Sequence, residues 1–482
     1  MTIYSLADMQ SILPILFVVG WACVLLLVDV FFKRRGLTFW LTVIGLGGAL
    51  YFAIRHIGTE VTAFNEMLSV DGFAIFLYVI VLASGLLAVL LAYDYLKRMD
   101  IFQGEYFVLM LFSIAGIMLM ASAADLIVVF LALELLSIPL YILAAFAQPR
   151  PESEEAGMKY FLLGAFAGGF VLYGVALVYG ATGETGLMEI VNAVTSGIDN
   201  PTFLLIGSAL ILIGLGFKVA AVPFHMWTPD VYQGAPTPVT AFMAVGAKVG
   251  GFAALLRVFI VAFPALSQDL VPVIGGVATL TLVVGNLVAI AQKNIKRMLA
   301  YSSISHVGFI LMAFITYGQK EVYFDAVAAV LFYLLAFAVT SFGVWGVVIA
   351  LERAEGKGLA LADYAGLGKK HPGLALAMLV FMLSFTGVPP TLGFAGKFYL
   401  FKVVLEGGYV WLAVVGVLTS LISAYYYLRV VIIMYMQDGS PEVQKEPLLN
   451  LTTTLAALGT IILFFISGSL FSWAAESVLL LF

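Results

Sequence analysis

Cysteine occurs once in 482 residues, at Cys23. A single thiol excludes a disulfide framework, an iron–sulfur cluster or a cysteine zinc site built within this chain. Cys23 itself lies in an apolar run, where a free cysteine behaves as a small hydrophobe. Charge is scarce as well: Asp, Glu, Lys and Arg make up 11% of the chain, against about 25% in a soluble domain. A soluble enzyme of ordinary fold is excluded on that ground. The net charge of -5, with no basic tract longer than Lys33-Arg34-Arg35, speaks against nucleic acid as a partner. The four histidines show no metal-ligand spacing, and neither a Ser-His-Asp set nor a Gly-rich phosphate loop is present. What the chain has instead is apolar side chains, 63% of all residues, and 14% aromatics. Disordered chains have neither. The composition is that of an all-α polytopic membrane protein.

Met1–Gln10 carries no Lys or Arg, and the apolar run from Ile12 to Phe32 is too long for a signal peptide. The first segment is therefore expected to stay as a spanning helix. About 20 residues cross ~30 Å of hydrocarbon. Apolar runs of that length predict fourteen spans, near 11–32, 37–55, 70–95, 104–121, 125–147, 156–181, 202–222, 236–264, 271–291, 298–317, 323–352, 372–402, 408–436 and 450–480. Alternate loops collect Lys33, Arg34, Arg35, Lys97, Arg98, Arg150, Lys159, Lys293, Lys296, Arg297, Arg353, Lys357, Lys369, Lys370 and Lys445. The opposite loops hold only Arg55, Lys320 and Lys402, and Lys218, Lys248, Arg257, Lys397 and Arg429 fall inside spans. Cytoplasmic loops hold the basic excess, so both termini are expected on the non-cytoplasmic side of the cell's inner (plasma) membrane. The loops near 182–201 and 353–371 are too short to fold alone, which leaves one membrane domain over residues 1–482.

A charge near the bilayer centre costs at least ~2.5–3.5 kcal/mol, so ionisable residues inside spans are the informative ones. Glu134 stands nine residues past Asp125, a rise of ~14 Å. Lys248 is ten residues past Pro238, and Lys397 ten before Gly407. Lys218 falls late in its span, where an interrupted helix would return it to the interior. Two stretches suggest interruption: Gly214 to His225, containing Pro223, and Gly387-Val388-Pro389-Pro390-Thr391-Leu392-Gly393. Proline removes a backbone donor and disfavours helix before it. Unwound backbone at membrane depth marks protein-lined or wet interior, and often an ion site. Lysine precedes proline in span seven and follows it in span twelve, the order an inverted repeat produces. Spans 4–8 (104–264) and 9–13 (271–436) then form two inverted five-helix repeats, preceded by three helices (1–95) and followed by one (450–480).

Glu134 cannot neutralise three lysines, so the group reads as a proton path rather than as structural ion pairs. Burial and a nearby carboxylate act oppositely on a lysine, which can hold such an amine near the point of proton exchange. His306, among hydroxyls in Tyr301-Ser302-Ser303-Ile304-Ser305-His306, reads as a relay candidate. His225 beside the break reads equally as relay or structural. Gly164 and Gly168 form a small-xxx-small pair suited to close helix packing.

The runs Phe217-Lys218 through Pro223-Phe224-His225-Met226-Trp227-Thr228-Pro229-Asp230-Val231-Tyr232-Gln233-Gly234-Ala235-Pro236, Gln292 through His306, and Gly387 through Lys397 resemble the antiporter-like membrane subunits of respiratory complex I, and among them the subunit N branch. The resemblance implies a proton-translocating subunit of an NADH:quinone oxidoreductase. On it, Glu134 pairs with Lys218, Lys248 continues a hydrated path, Lys397 exchanges protons with the outer side, and His306 and His225 relay or gate. Tyr425, Tyr426 and Tyr427 could line the outer end, with aromatic packing the role expected of them. No cofactor is expected in this chain; NAD, FMN, iron–sulfur clusters and quinone belong to the implied parent complex. Its partners would be the lipid bilayer, a sister antiporter-like subunit and small membrane-arm subunits. The alternatives are a subunit of an Mrp-type cation/proton antiporter and a non-pumping scaffold.

Overall fold

The structure is a computed structural model that describes residues 6–32, 35–319, 321–354 and 356–478. Lys33, Arg34 and Lys320, used above to orient the chain, lie outside the described residues. The helices, in chain order, are α1 Leu6–Ser11, α2 Leu13–Phe32, α3 Arg35–Arg55, α4 Gly72–Arg98, α5 Glu105–Ser122, α6 Leu126–Ala144, α7 Pro151–Thr182, α8 Leu187–Ser196, α9 Pro201–Val219, α10 Trp227–Gly234, α11 Thr237–Phe242 and α12 Lys248–Arg257. They continue as α13 Ser267–Ala291, α14 Ile295–Phe314, α15 Tyr323–Leu351, α16 Leu367–Lys370, α17 Pro372–Thr386, α18 Leu392–Glu406, α19 Val410–Met436, α20 Pro447–Phe465 and α21 Ser467–Glu476.

Thirteen of the described segments are long and apolar enough to cross a membrane. The expected span twelve is divided into α17 and α18, each of 15 residues. Gly387, in the left-handed region at φ 89°, ends α17, a backbone conformation that glycine adopts without steric cost. In span seven the break falls earlier than Pro223. α9 stops at Val219, Ala220 takes φ 65°, and the chain restarts as α10.

Elsewhere the helix starts follow from local chemistry. Asp71, Asp125 and Asn294 cap α4, α6 and α14, each side chain accepting from backbone N–H groups of the first turn. Proline opens α7, α9, α17 and α20. The run 237–262 forms one spanning rod in which π-helical turns, Met243–Ala247 and Val258–Ala262, flank α12. This rod, α14 and α15 are buried on nearly all sides, whereas α2, α19 and α20 turn much of their surface outward. A helix apolar all round belongs in such a core.

A two-stranded hairpin, β1 Val61–Ala63 and β2 Leu68–Val70, joins α3 to α4 with Val61 opposite Val70. One backbone arrangement occurs twice. At the start of α6, Leu126 N–H donates to Thr185 O (2.8 Å) and Leu187 N–H to Ala124 O (2.9 Å). At the start of α14, Ile295 N–H donates to Leu359 O (2.8 Å) and Leu361 N–H to Lys293 O (2.9 Å). In both cases a strand-like residue before the helix pairs with the loop that follows the next long helix.

Candidate proton-relay site

Lys218 occupies the last turn of α9, where carbonyls left free by the helix end favour a cation. Its buried Nζ donates to Ser137 Oγ at 2.7 Å and to Tyr160 OH at 3.1 Å. Tyr160 is stacked on Trp227, ring centroids 4.4 Å apart, and Trp227 Nε1 donates to Phe217 O at 3.0 Å. The segment after the break thus wedges the tyrosine against the amine. Glu134, half-buried on α6, is one turn from Ser137. The direct Glu134–Lys218 pair implied by the resemblance is not formed: among the described residues no ion pair or hydrogen bond joins them. They remain within Coulombic reach, with Ser137 as the group next to both. Gly168 on α7 makes room for the carboxylate, since a Cβ there would lie 2.7 Å from Glu134 Oε1.

Lys248 begins α12, immediately after the first π-helical turn, and is 3% exposed. Such turns re-aim side chains and recur at functional sites. Its Nζ donates to Ser303 O at 2.8 Å and to Ser303 Oγ, and Tyr232 of α10 interacts with the same serine. Gly251, one turn further on, packs against Val219 and the Lys218 side chain, so α12 brings the second lysine beside the first.

His306 of α14 is bonded at both nitrogens: Nδ1 to Tyr333 OH at 2.6 Å and Nε2 to Tyr427 OH at 3.1 Å. Tyr427 OH also meets Ser302 Oγ. Tyr426 donates to Asn286 Oδ1 at 3.0 Å, and Asn286 Nδ2 donates to Ser305 Oγ at 2.8 Å. Tyr426 and Tyr427 pack ring against ring, centroids 4.4 Å apart, and their hydroxyls also belong to a polar network, whereas Tyr425 faces outward.

Lys397 of α18 reaches back across the break. Its Nζ donates to Thr386 O, the last residue of α17, at 3.0 Å and to Ser420 Oγ at 2.9 Å. Two rings connect the parts. Phe337 lies 5.6 Å from Lys248 Nζ and 5.0 Å from the His306 ring. Phe309 lies 4.6 Å from Lys397 Nζ and 6.4 Å from that same imidazole. His306 thus shares one aromatic neighbour with each lysine.

His225 is not brought into this network. It is half-buried beside the break, and its Nδ1 has no partner among the described residues.

Three polar groups escaped the sequence reading. Arg257, placed only as an in-span cation, holds Asp71 through two bonds of 2.8 and 2.9 Å and donates from Nε to Ala121 O at 2.8 Å. The signal was an acid just before an apolar run. Lys296, counted among loop cations, is 2% exposed and donates to Ala235 O at 2.7 Å. Glu352, at the end of α15, is buried on Tyr95 and Thr237. Outside the spans, Asp230 of α10 is bonded by Lys159 and Arg297, each at 2.7 Å. Partial burial would push its carboxyl up, but the two cations outweigh that and hold it below the usual carboxylate range.

This geometry has relatives. Residues 123–423 match the family described as NADH:quinone oxidoreductase/Mrp antiporter, TM. The NADH-quinone oxidoreductase subunit N of Chloroflexus aggregans is 48% identical over 484 residues, 98% of either chain. That of Trichlorobacter lovleyi is 46% identical over 488 residues, 99% of either chain. The chain belongs to the NADH-quinone oxidoreductase subunit N family. The reading of an antiporter-like translocase subunit of complex I is thereby borne out. A chain of respiratory complex I from Thermus thermophilus superposes with a TM-score of 0.82 at 34% identity, covering 96% of this chain and 99% of that one. A chain of the Mrp complex from Dietzia shares the fold alone, with a TM-score of 0.88 at 21% identity over 97% of each chain. The helical polytopic architecture expected from the sequence is that of these subunits, the short hairpin at 61–70 departing from an all-α chain.

Proposed function

We propose that this chain moves protons across the membrane through Glu134, Lys218, Lys248, His306 and Lys397, driven by quinone reduction elsewhere in its parent complex. It is a proton-pumping membrane subunit of NADH:quinone oxidoreductase, and the finer assignment concerns how its own residues do the work. NAD, FMN, iron–sulfur clusters and quinone act in other subunits. A sister antiporter-like subunit and small membrane-arm subunits flank this one in the inner membrane, with the basic loops and the Lys159–Asp230–Arg297 group on the cytoplasmic side and both termini on the other.

The observation that carries the reading is His306, hydrogen-bonded at both nitrogens to tyrosine hydroxyls and sharing an aromatic neighbour with Lys248 and with Lys397. Imidazole can accept a proton at one nitrogen and release one from the other. In the proposed cycle Glu134 swings between a close and a separated position relative to Lys218. Approach of the carboxylate favours the protonated amine, and withdrawal favours its release toward Lys248. Moving one charge against 100 mV costs about 2.3 kcal/mol, and one hydrogen bond to a charged group is worth about 1.5–3 kcal/mol. A modest change in pairing is therefore enough. Lys397, beside the carbonyl end of α17, hands the proton to the outer side. His225 gates at the break, outside the relay. The two matching backbone arrangements at α6 and α14 support pairing 104–264 with 271–436 as inverted repeats.

The reading is tested by Lys248→Ala in the assembled complex in proteoliposomes. Loss of proton uptake tied to quinone reduction is expected. Normal uptake, or sodium transport in its place, overturns it.

A further inference from the structure

Glu352 is a buried carboxyl for which the proposed relay has no use. It lines a cavity of about 560 Å³ at the basic end of the molecule, together with Tyr95, Arg150, Asp230, Lys296 and Arg297. Glu352 is 5% exposed. One oxygen accepts from Tyr95 OH at 3.2 Å, and the other from Thr237 Oγ1. Lys296 is near enough to act on it electrostatically, yet makes no ion pair with it among the described residues and donates to Ala235 O instead. Tyr364, buried beside it, has a hydroxyl without a partner among the described residues.

A structural counter-ion would be expected in contact with its cation. Glu352 is bonded to two hydroxyls, groups that both donate and accept and so can pass a proton on. Thr237 is also the first residue of the rod that carries Lys248. Eleven residues of helix separate the two by about 16 Å, too far for one transfer. Tyr232 and Ser303 form the Lys248 end of that gap, since Ser303 bonds Lys248 and faces Tyr232.

We propose that Glu352 is a proton-collecting carboxyl of this subunit, taking protons from the basic-end cavity and delivering them by way of Thr237, Tyr232 and Ser303 to Lys248, where they join the relay beside those that Lys218 releases. The carboxylate binds a proton from water in the cavity and releases it inward, and the Lys248 amine takes it up as ammonium. Water between the hydroxyl groups carries the intervening steps. This inference rests on the relay proposed above.

The test is Glu352→Gln in the whole complex, in inverted vesicles that expose the cytoplasmic face, beside Glu352→Asp and Lys248→Ala. Glutamine keeps the size and the acceptor oxygen but cannot cycle a proton. Coupled quinone reduction by Glu352→Gln is expected to slow by about a hundredfold, the low end of what a positioned proton-transfer group contributes. Millimolar formate or azide, small weak acids that enter the cavity, is expected to restore it, and Glu352→Asp to retain most activity. A merely structural carboxyl would not respond to weak acid, so slow turnover without rescue overturns the inference. So does full activity of Glu352→Gln while Lys248→Ala is inactive, which leaves the relay standing. If Lys248→Ala also pumps normally, the relay itself falls.

Discussion

Lys218 and Ser137 are joined by a 2.7 Å hydrogen bond across α9 and α6, one helical turn from Glu134. The amine is thus held by a neutral partner while the carboxylate stands off, the separated position of the proposed cycle. Ser137→Ala removes that partner, and leaving a buried amine short of one hydrogen bond costs about 1–3 kcal/mol. The expected outcome is an assembled complex with fewer protons moved per quinone reduced, read in proteoliposomes with a pH-sensitive dye.

Gly168 gives an independent handle on Glu134. A methyl group there would meet only the mobile end of the glutamate, 2.7 Å from Oε1, so the fold can absorb it while the carboxylate cannot keep its place. Gly168→Ala is expected to assemble at wild-type level, checked by native gel, and to lose proton pumping to nearly the extent of Glu134→Gln.

The two hydroxyls on His306 are expected to matter unequally. Tyr333 makes the shorter bond, 2.6 Å against 3.1 Å for Tyr427, and Tyr427 keeps a second partner in Ser302. Tyr333→Phe should therefore slow proton transfer more than Tyr427→Phe, and His306→Ala more than either. Solvent deuterium effects on coupled turnover measure this order.

Asp230 sets a pH dependence outside the membrane. Its carboxyl is held below the usual range by Lys159 and Arg297, against partial burial acting the other way. A depressed carboxyl stabilises the folded state at pH above its unfolded pKa of about 3.9, and that contribution fades as pH falls through the folded value. Detergent-solubilised complex should show a Tm gap between wild type and Asp230→Asn that is constant from neutral pH to about pH 5 and closes below it.

The spans were legible because length and hydropathy alone decide what crosses a bilayer, and the break at Gly387–Pro390 because glycine and proline cannot continue a helix. The hairpin at 61–70 was not, since three-residue strands with mixed polarity carry no periodic signal. The break after Val219 precedes the proline that suggested it, because Ala220 takes the left-handed turn. Which residues are ionisable and deep was visible in the sequence. Their partners were not, because contacts across helices depend on rotations that spacing does not encode. Ser137 and Tyr160 rather than Glu134 meet Lys218 for that reason, and Tyr427 reaches His306 from 121 residues away. Lys296 was counted with the loop cations because it stands among Lys293 and Arg297 at a span boundary, yet it is buried while Arg297 reaches Asp230, as consecutive helix residues point to different sides.

If buried amines pass protons in series, Lys218→Ala breaks the series at its first amine. The measurement is protons translocated per quinone reduced by the purified, fully assembled complex in sealed liposomes. Proton translocation tied to quinone reduction is expected to be abolished, with assembly intact. A ratio equal to that of the wild type at equal turnover would contradict it.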